Sequence, residues 1–274
     1  MPIRRRWVGT AAVTAATAVT VALFLFPIYW IVTMAFKDFI LATRIPPAWF
    51  FVPTLENFQG LFHSEGFGRP LLNSIIIAFA ATAISLALGT PTAYALARFR
   101  FRLRGPAEFF ILFIRMLPTF ALVIPLFVLL SQVSAFGPHA SVIFAHTLIG
   151  VPIVVWLLRS YFGTISPDLE HAAMLDGCSR LGALVRVTLP VAAPGIVAAG
   201  VLAFIGSWND FVYALILGGE TAKTMPVTLA GLITQIRAEW GFLAAGGTLT
   251  MAPVLVIALL VRRYFLSGLA FGSE

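Results

Sequence analysis

Residues 163–195 read GTISPDLEHAAMLDGCSRLGALVRVTLPVAAPG and lie between two long apolar runs. The apolar and small residues of this stretch recur at helical spacing, as Leu169, Ala172 and Ala173 show. Its charged residues are too many for a segment inside hydrocarbon, and they are Asp168, Glu170, Asp176, Arg180 and Arg186. The pattern therefore predicts a structured, amphipathic segment at the surface of a membrane protein. We call residues 163–195 the amphipathic segment.

The rest of the chain has the composition of an integral membrane protein. Of its 274 residues, 60% are hydrophobic and 11% are charged, whereas soluble domains carry charge on about a quarter of their residues. Because only helices and closed barrels satisfy their backbone polar groups in lipid, the composition predicts an all-α membrane protein. We expect one transmembrane domain over residues 1–274. Six stretches can cross about 30 Å of hydrocarbon, at 11–36, 71–96, 109–130, 142–158, 194–217 and 242–261.

The distribution of lysine and arginine predicts the orientation of these spans. With the N-terminus in the cytosol, twelve basic residues fall on the cytosolic side, at positions 4, 5, 6, 98, 100, 102, 104, 159, 180, 186, 262 and 263. Five fall outside, at positions 37, 44, 69, 223 and 237, and Arg115 lies within the third span. Because cytosolic loops carry the excess of Lys and Arg, both termini and a loop at about 159–193 are predicted to be cytosolic.

Several functions are excluded by what the sequence lacks. The single cysteine, Cys178, allows no disulfide within the chain, and one cysteine with four scattered histidines builds no metal site. The net charge of +7 is explained by membrane topology, so nucleic acid is not an expected partner. The segment GGETAKT at 218–224 lacks the spacing of a phosphate-binding loop, so we expect no ATP hydrolysis by the chain itself.

Local signals divide the amphipathic segment into two short helices. Ser166-Pro167 is a helix start, with a hydroxyl cap followed by a proline at the first helical position. Gly177 is a helix stop, Ser179 can begin a second helix, and Leu189-Pro190 is predicted to end it. The small side chains at 172 and 173 allow another protein to approach this face of the helix closely, which suits docking into a groove. A helix lying along the lipid headgroups is the alternative.

The sequence EHAAMLDGCSRLGALVRVTLP at 170–190 resembles the EAA loop of binding-protein-dependent ABC importers. That motif runs Glu-Ala-Ala, three residues, Gly, nine residues, Ile, one residue and Leu-Pro. The matching residues of this chain are Ala172, Ala173, Gly177, Leu189 and Pro190, with Val187 at the isoleucine position. Glu170 and Asp176 match the fuller form of the motif in sugar permeases, and His171 stands where the family has glutamate.

In that family the EAA loop is the coupling helix, which fits a cleft on the ATP-hydrolysing subunit. The residues that the resemblance assigns to ATPase coupling are Glu170, His171, Ala172, Ala173, Asp176, Gly177, Leu189 and Pro190. Through them, closure of the ATPase dimer would switch the spans between inward-facing and outward-facing states. His171 alters the salt bridge that the usual glutamate makes to the ATPase, and Glu170 is expected to substitute for it in part.

The resemblance covers most of the chain and points to carbohydrate permeases of the maltose type. Similar segments include PTLENFQGLF at 53–62, AYALARFRF at 93–101, RMLPTFALVIPLF at 115–127 and SWNDFVYALIL at 207–217. The implied architecture is a type I importer permease with six transmembrane helices in a bacterial or archaeal cytoplasmic membrane. The implied partners are a second homologous permease, two ATP-binding subunits that use ATP and Mg²⁺, an extracytoplasmic solute-binding protein, a sugar and membrane lipid. The chain itself is expected to hold no cofactor.

Three residues of the fifth span are candidates for the substrate pathway. Trp208, Asn209 and Asp210 supply a ring, an amide and a carboxylate, which are groups that cover sugar faces and bind pairs of hydroxyls. The alternative is that Asn209 and Asp210 fix contacts between helices. Arg115 is expected to snorkel and to bond backbone carbonyls. His146 is expected to be a packing residue whose polar atoms are satisfied.

Two other classes of function are weaker alternatives. An ion-coupled secondary transporter would carry acids or broken helices at mid-membrane in repeated halves. Asp210 is the only acid within a predicted span, and no second half of the sequence matches the first. An intramembrane enzyme would need catalytic groups placed to react, and the sequence indicates none. We therefore predict a non-catalytic permease.

Overall fold

The computed structural model describes residues 2–63, 66–133, 136–233 and 240–270. Arg237, one of the basic residues assigned to the outside, and the C-terminal residues 271–274 lie outside the described residues. In the described part the regular elements are helices, with a π-helical turn at Leu184–Thr188. The α-helices are α1 Pro2–Ala35, α2 Phe39–Thr43, α3 Glu56–His63, α4 Gly68–Arg98, α5 Arg104–Met116, α6 Thr119–Ser131, α7 Pro138–Thr164, α8 Pro167–Leu175, α9 Arg180–Ala183, α10 Leu189–Val191, α11 Ala193–Trp208, α12 Val212–Gly218, α13 Met225–Gly231 and α14 Trp240–Ala270.

The number of membrane-spanning helices depends on how two bent pairs are counted. Four helices are long and apolar enough to cross alone, over Val13–Ala35, Gly68–Arg98, Pro138–Thr164 and Trp240–Arg262. Two pairs reach a spanning length together, Arg104–Met116 with Thr119–Ser131 and Arg180–Val191 with Ala193–Trp208. The described residues therefore form an all-α membrane protein with four unbroken candidate spans, and with up to six when each bent pair counts as one.

Residues 109–130 and 194–217 are not the single helices that hydropathy predicts. The first stretch is bent by 98° between α5 and α6. The residue before a proline is driven out of the α region, so Leu117 ends α5 with an extended backbone ahead of Pro118. The second stretch ends α11 at Trp208 and resumes in α12 at Val212. The helix is therefore interrupted at residues 209–211.

The second helix of the amphipathic segment continues further than predicted. Leu189-Pro190 was expected to end it, but the helical path continues through Leu189–Val191 and then bends by 74° into α11. The π-helical turn Leu184–Thr188 precedes the proline, and the N–H of Leu189 donates to the carbonyl of Leu184. Pro190 lies in the first turn of α10, directly after the π-helical turn. The proline is therefore accommodated, and the chain turns after it.

By its internal contacts the chain divides into two compact units. The first contains Met1–Phe67 and Leu229–Ala252, and the second contains Gly68–Thr228 and Pro253–Glu274. Helix α14 contributes residues to both units. That one transmembrane domain covers all of 1–274 stays a prediction.

In the first unit, α3 is fastened to the chain that follows α1. The side-chain amide of Asn57 donates to the carbonyls of Ala35 and Lys37 at 2.9 and 2.6 Å. The Lys37 ammonium lies over the rings of Trp30 and Phe51, at 5.1 and 5.0 Å from their centroids. Because Lys37 is only 4% exposed, the two ring faces stabilise a charge that water does not reach freely.

The second unit is built on α4, α7 and α11, which share one apolar core. The helices approach closely where glycine removes a side chain, and a Cβ on Gly89 would lie 2.6 Å from Cγ1 of Val154. A Cβ added to Gly195 of α11 would lie equally close to the ring of Tyr161. Close backbone approach of this kind is a main source of helix association in lipid. This frame carries the amphipathic segment and the polar groups considered next.

Candidate functional site

The amphipathic segment begins as its sequence predicts. The hydroxyl of Ser166 accepts a hydrogen bond from the N–H of Asp168 at 3.2 Å, and Pro167 occupies the first position of α8. Ser179 caps α9 in the same way, because its hydroxyl accepts from the N–H of Gly182 at 3.1 Å. Each cap satisfies a donor that the first turn of a helix leaves free. Both short helices are therefore held by local bonds.

Gly177 ends α8 in a backbone conformation that favours glycine. Its φ is +90°. The N–H of Cys178 donates to the carbonyl of Ala173 at 3.0 Å, and the N–H of Gly177 donates to that of Met174 at 3.1 Å. These are the two bonds of a Schellman motif. A Cβ added to Gly177 would meet no atom within 4 Å, so the backbone alone opposes a side chain there.

A buried ion pair joins α8 to the end of α4. The Glu170 carboxylate accepts from Nε of Arg98 at 2.8 Å through Oε1, and from the Tyr94 hydroxyl at 2.8 Å through Oε2. The Arg98 guanidinium also donates from Nη2 to the carbonyl of Ile165 at 2.9 Å. The side chains of Arg98 and Glu170 are 11% and 10% exposed. Both charges are therefore compensated within the chain, as a buried pair requires.

The surroundings of Glu170 keep its carboxyl ionised. Burial is the largest single influence, and by itself it raises the pKa of the Glu170 carboxyl. The hydrogen bonds from Arg98 and Tyr94, together with the Arg98 charge, act in the opposite direction and outweigh it. The pKa of Glu170 is lowered below its usual value as a result. The pair is therefore charged at neutral pH.

The opposite side of the amphipathic segment is apolar and exposed. Leu175 at the end of α8 is 89% exposed, and Leu181 in α9 is 69% exposed. Leu169 and Val185 are exposed to about half of their surface. Among the charged residues of the segment Glu170 is buried, whereas Asp168, Asp176, Arg180 and Arg186 are exposed together with these apolar side chains. Exposed apolar side chains gathered in one place mark a contact with another molecule.

The eight residues that the resemblance assigns to coupling separate into two sets. Glu170 and Ala173 are buried against the chain itself, and Leu189 is half-buried against the core of the second unit. Glu170 does not face a partner in this arrangement, because both of its carboxylate oxygens are bonded within the chain. Nδ1 of His171 lies 4.0 Å from Oδ1 of the exposed Asp168. The exposed members of the set are His171, Ala172, Asp176, Gly177 and Pro190.

Sequence reasoning missed the partners of Glu170. Arg98 was assigned only to the basic residues that orient the chain, and Tyr94 was given no role. An open cavity of 420 Å³ lies beside the ion pair, and Arg100 and Arg180 are among its lining residues. The Tyr-x₃-Arg spacing at the end of α4 places both side chains on one helical face, which is a weak signal. It does not identify an acid 72 positions further along the chain.

The pathway candidates Trp208 and Asn209 lie in different surroundings. Trp208 is 1% exposed, and its ring stacks on Phe204 with 5.6 Å between the centroids. Its ring therefore packs in the helix bundle in this conformation. Asn209 is exposed, and its side-chain amide donates to the carbonyl of Ile205 at 3.0 Å. Of the two, Asn209 is the residue with an accessible polar group.

Asp210 belongs to a polar cluster with His146 and Ser207. Oδ1 of Asp210 lies 3.1 Å from Nε2 of His146, and it also accepts from the backbone N–H groups of Tyr213 and Ala214. The Ser207 hydroxyl lies 2.7 Å from Nδ1 of His146. The expectation that His146 is satisfied is confirmed, since its side chain is 1% exposed and both ring nitrogens have partners. The sequence did not indicate that Ser, His and Asp would meet here.

Arg115 does not have the surroundings expected from the sequence. Helix α5 runs beside α7, where Glu108 pairs with Arg159 at 3.0 Å. Arg115 lies seven residues beyond Glu108, or about 10 Å along the helix. The expected bonds to carbonyls are absent, because no hydrogen bond or ion pair joins its guanidinium to any residue that the structure describes. It lines a 150 Å³ cavity together with His146 and Ser207.

Helices that are long and apolar enough to cross a membrane define the class of protein, namely an integral membrane protein. The chain belongs to the family of inner membrane components of binding-protein-dependent transport systems, whose model matches residues 85–270. It is therefore an integral inner-membrane permease subunit of an ABC transporter, and a non-catalytic one. The alternative of an ion-coupled secondary transporter is not favoured.

Similarity to known permeases covers nearly the whole chain. It is 32% identical to a probable ABC transporter permease of Sinorhizobium fredii, over 91% of this chain and 90% of that one. It is 31% identical to the sulfoquinovosyl glycerol transport system permease of Agrobacterium fabrum, over 91% and 88%. In fold it matches a bacterial ABC transporter involved in the import of the acidic polysaccharide alginate, with a TM-score of 0.76 and 23% identity over 96% of this chain and 98% of that one.

Proposed function

We propose that this chain forms half of the membrane pathway of an ATP-driven importer for a carbohydrate. The names of similar proteins support the substrate class, since one carries sulfoquinovosyl glycerol and a structural neighbour imports alginate. A second, homologous permease forms the other half, and an extracytoplasmic solute-binding protein delivers the sugar. Two ATP-binding subunits bind ATP and Mg²⁺ and dock on the amphipathic segment.

The exposed apolar side of the amphipathic segment is the observation that carries this proposal. Leu175 and Leu181 are 89% and 69% exposed on two capped helices. Burying a leucine side chain contributes about 1.5–3 kcal/mol, so both side chains gain from entering a groove of an ATP-binding subunit. The exposed residues that would share this contact are His171, Ala172, Asp176, Gly177 and Pro190.

The ion pair behind this surface gives a route from the contact to the spans. Because Glu170 and Arg98 are joined by charge-assisted bonds, a displacement of α8 is transmitted to the end of α4. The close packing of Ala173 and Leu189 on the chain's own helices resists independent movement of the segment. ATP that closes the ATPase dimer would thus stabilise one of two arrangements of the spans.

The orientation of the chain in the membrane and the residues that line its pathway belong to the same proposed function. The excess of Lys and Arg beside the amphipathic segment supports a cytosolic location for that segment and for both termini, in a bacterial or archaeal cell. On the pathway, Asn209 offers an accessible amide. Asp210 and Trp208 shape the surface around it, since the former is bonded to His146 and the latter is packed in the bundle.

Reconstitution tests the docking surface. The chain is assembled with its partner permease, ATP-binding subunits and solute-binding protein in proteoliposomes, and ATP-dependent sugar uptake is measured. Leu175→Asp combined with Leu181→Asp should reduce retention of the ATP-binding subunits on purification, and uptake should fall by at least about tenfold, because the substitution puts charge into a dry groove. Leu103→Asp is the matched control, since Leu103 is 66% exposed at the start of α5 and lies outside the segment. Full retention and uptake in the double variant would contradict the proposal.

A further inference from the structure

The cavity between α5, α7 and α11 has no role in the coupling described above. It measures 150 Å³ and its polar lining consists of Arg115, His146 and Ser207. Gly150, Ala203 and Gly206 line other parts of it, and their small side chains leave the space open. Sites that bury a whole drug-sized ligand measure about 300–1,000 Å³, so this space suits a small charged substituent and not an oligosaccharide.

The charged groups at this cavity are unequally satisfied. Asp210 accepts three hydrogen bonds, and both ring nitrogens of His146 are bonded. The Arg115 guanidinium, with five N–H donors and a permanent charge, has no partner among the residues that the structure describes. The exposed Arg115 is thus the charged residue of the cavity lining that has no partner among the described residues, whereas Asp210 is bonded through Oδ1.

The nearest acid along α5 is already in use. Oε1 of Glu108 accepts from Nε of Arg104 at 2.9 Å and forms an ion pair with Nε of Arg159 at 3.0 Å. Glu108 also lies about 10 Å away along the helix, beyond the reach of the Arg115 side chain. A charged residue within a membrane span is costly unless it faces a water-filled cavity or meets an opposite charge. The charge that Arg115 lacks is therefore expected from a molecule that enters the cavity.

We propose that this cavity binds the anionic group of an acidic sugar in passage, a carboxylate, sulfonate or phosphate that pairs with Arg115. A guanidinium donates two parallel hydrogen bonds to such a group, and this bidentate geometry distinguishes it from a neutral hydroxyl. The Ser207 hydroxyl and the exposed amide of Asn209 lie on the same stretch of α11 and its C-terminal end, and serve the neutral part of the ligand. This inference rests on the proposed function, because it assumes that the cavity opens to a transport pathway.

Cysteine labelling measures the charge preference of the cavity without transport. In a Cys178→Ser chain of the assembled importer, Gly206→Cys puts a thiol in the cavity, where an added Cβ meets no atom within 4 Å. Gly137→Cys is the matched control, since it has the same open space and lies before α7, outside the cavity. The reagents are a sulfonate-bearing and a trimethylammonium-bearing methanethiosulfonate.

At each position we divide the rate of thiol modification by the sulfonate reagent by the rate with the trimethylammonium reagent. We expect this ratio to be about tenfold higher at position 206 than at position 137, because a unit charge lies near position 206 in a partly buried site. Arg115→Gln should return the ratio to the control value, and Arg115→Lys should retain most of the preference. Because Arg115 has no partner in the described structure, these changes leave no group of the chain unbonded. Equal ratios at the two positions would overturn the proposal, as expected if an acid of the partner permease neutralised Arg115.

Protection by sugars tests the ligand class. The thiol introduced by Gly206→Cys is alkylated with N-ethylmaleimide, which is uncharged. Glucuronate at a concentration equal to its Kd should slow this alkylation about twofold, because half of the sites are then occupied. Glucose at the same concentration should not slow it. Arg115→Gln should abolish the protection. A lack of protection by glucuronate, or equal protection by glucose, would overturn the ligand class. Failure of the importer proposal is seen separately, as a lack of ATP-dependent uptake, because labelling requires neither ATP nor the binding protein.

Discussion

The amphipathic segment and the Arg115 cavity leave opposite kinds of groups without partners. In the segment the buried acid, Glu170, is bonded twice within the chain, and the most exposed large apolar side chains are leucines. At the cavity the acid and the histidine bond each other, and the group left over is a guanidinium. An unmatched apolar surface is satisfied by another protein, and an unmatched charge by an ion or polar ligand.

This comparison separates two tasks within one helical frame. Contacts between α8 and α4 are suited to transmitting movement, because the Glu170 carboxylate and the Arg98 guanidinium are bonded to each other. The cavity is suited to reversible binding, because its open charge has no competing partner in the described chain. Substitutions that remove the bonds of the segment or of the polar cluster at the cavity test this difference.

Loss of the buried acid should have the largest effect. Glu170→Ala leaves the Arg98 guanidinium buried and uncompensated, which should cost about 3 kcal/mol of stability. Uptake should fall while ATP hydrolysis continues, because α8 is no longer joined to α4. Thermal unfolding and the ratio of uptake to hydrolysis are the measurements. Glu170→Gln retains polar contacts and should cost less, and unchanged coupling in Glu170→Ala would remove the ion pair from the proposed route.

Loss of Asp210 should have the next largest effect, and it should act on stability. Asp210→Ala leaves Nε2 of His146 and two backbone N–H groups of α12 without their acceptor, at a cost of about 2 kcal/mol. Asn209→Ala is the matched control, because that side chain bonds only within its own helix. If Asp210→Ala instead stops uptake with no change in thermal unfolding, Asp210 contacts the substrate directly.

A side chain at Gly177 should act through the backbone alone. Gly177→Val forces a β-branched residue to φ of +90°, at a cost of about 1–3 kcal/mol, and it should uncouple ATP hydrolysis from uptake. Gly163→Val is the control, since an added Cβ there also meets no atom within 4 Å and its φ is not positive. Uptake that remains fully coupled in Gly177→Val would show that the shape of this turn is not needed for docking.

A dependence on pH should be the smallest effect. Because the folded-state pKa of Glu170 lies below its value in the unfolded chain, the ion pair stabilises fully above about pH 4.3, and the contribution is lost as pH falls through the folded-state pKa. The difference in unfolding temperature between the unmodified chain and Glu170→Gln should therefore shrink in acid and stay constant at neutral pH. A difference that grows as pH falls would show that Glu170 is protonated in the fold.

The sequence predicted those parts of the fold that depend on residues close together along the chain. Ser166 and Gly177 bound α8 as expected, because a cap and a left-handed turn involve only residues a few positions away. Hydropathy also located the apolar stretches, yet it missed the 98° bend at Pro118. An average over a window records how apolar a segment is and carries no information on its direction, so one stretch was read as one helix.

The parts that sequence missed depend on which helix faces meet. Glu170 was read as a docking residue, and the structure pairs it with Arg98 at the end of another helix. Trp208 stays a candidate for the pathway, but the burial of its ring against Phe204 was not visible in the sequence. Arg115 is predicted to bond backbone carbonyls, but it has no such bond to the described residues and it lines a cavity. No periodicity within one helix contains this information.

The sequence by itself determined that the chain is an all-helical membrane permease with one structured segment between spans, because composition, helix caps and the EAA pattern act over short distances. The tertiary structure decided which face of that segment is free. It turned Glu170 inward and the leucines outward, and it left Arg115 at a cavity with His146. The physical reason is that the cost of a buried charge depends on partners that only helix packing brings within reach.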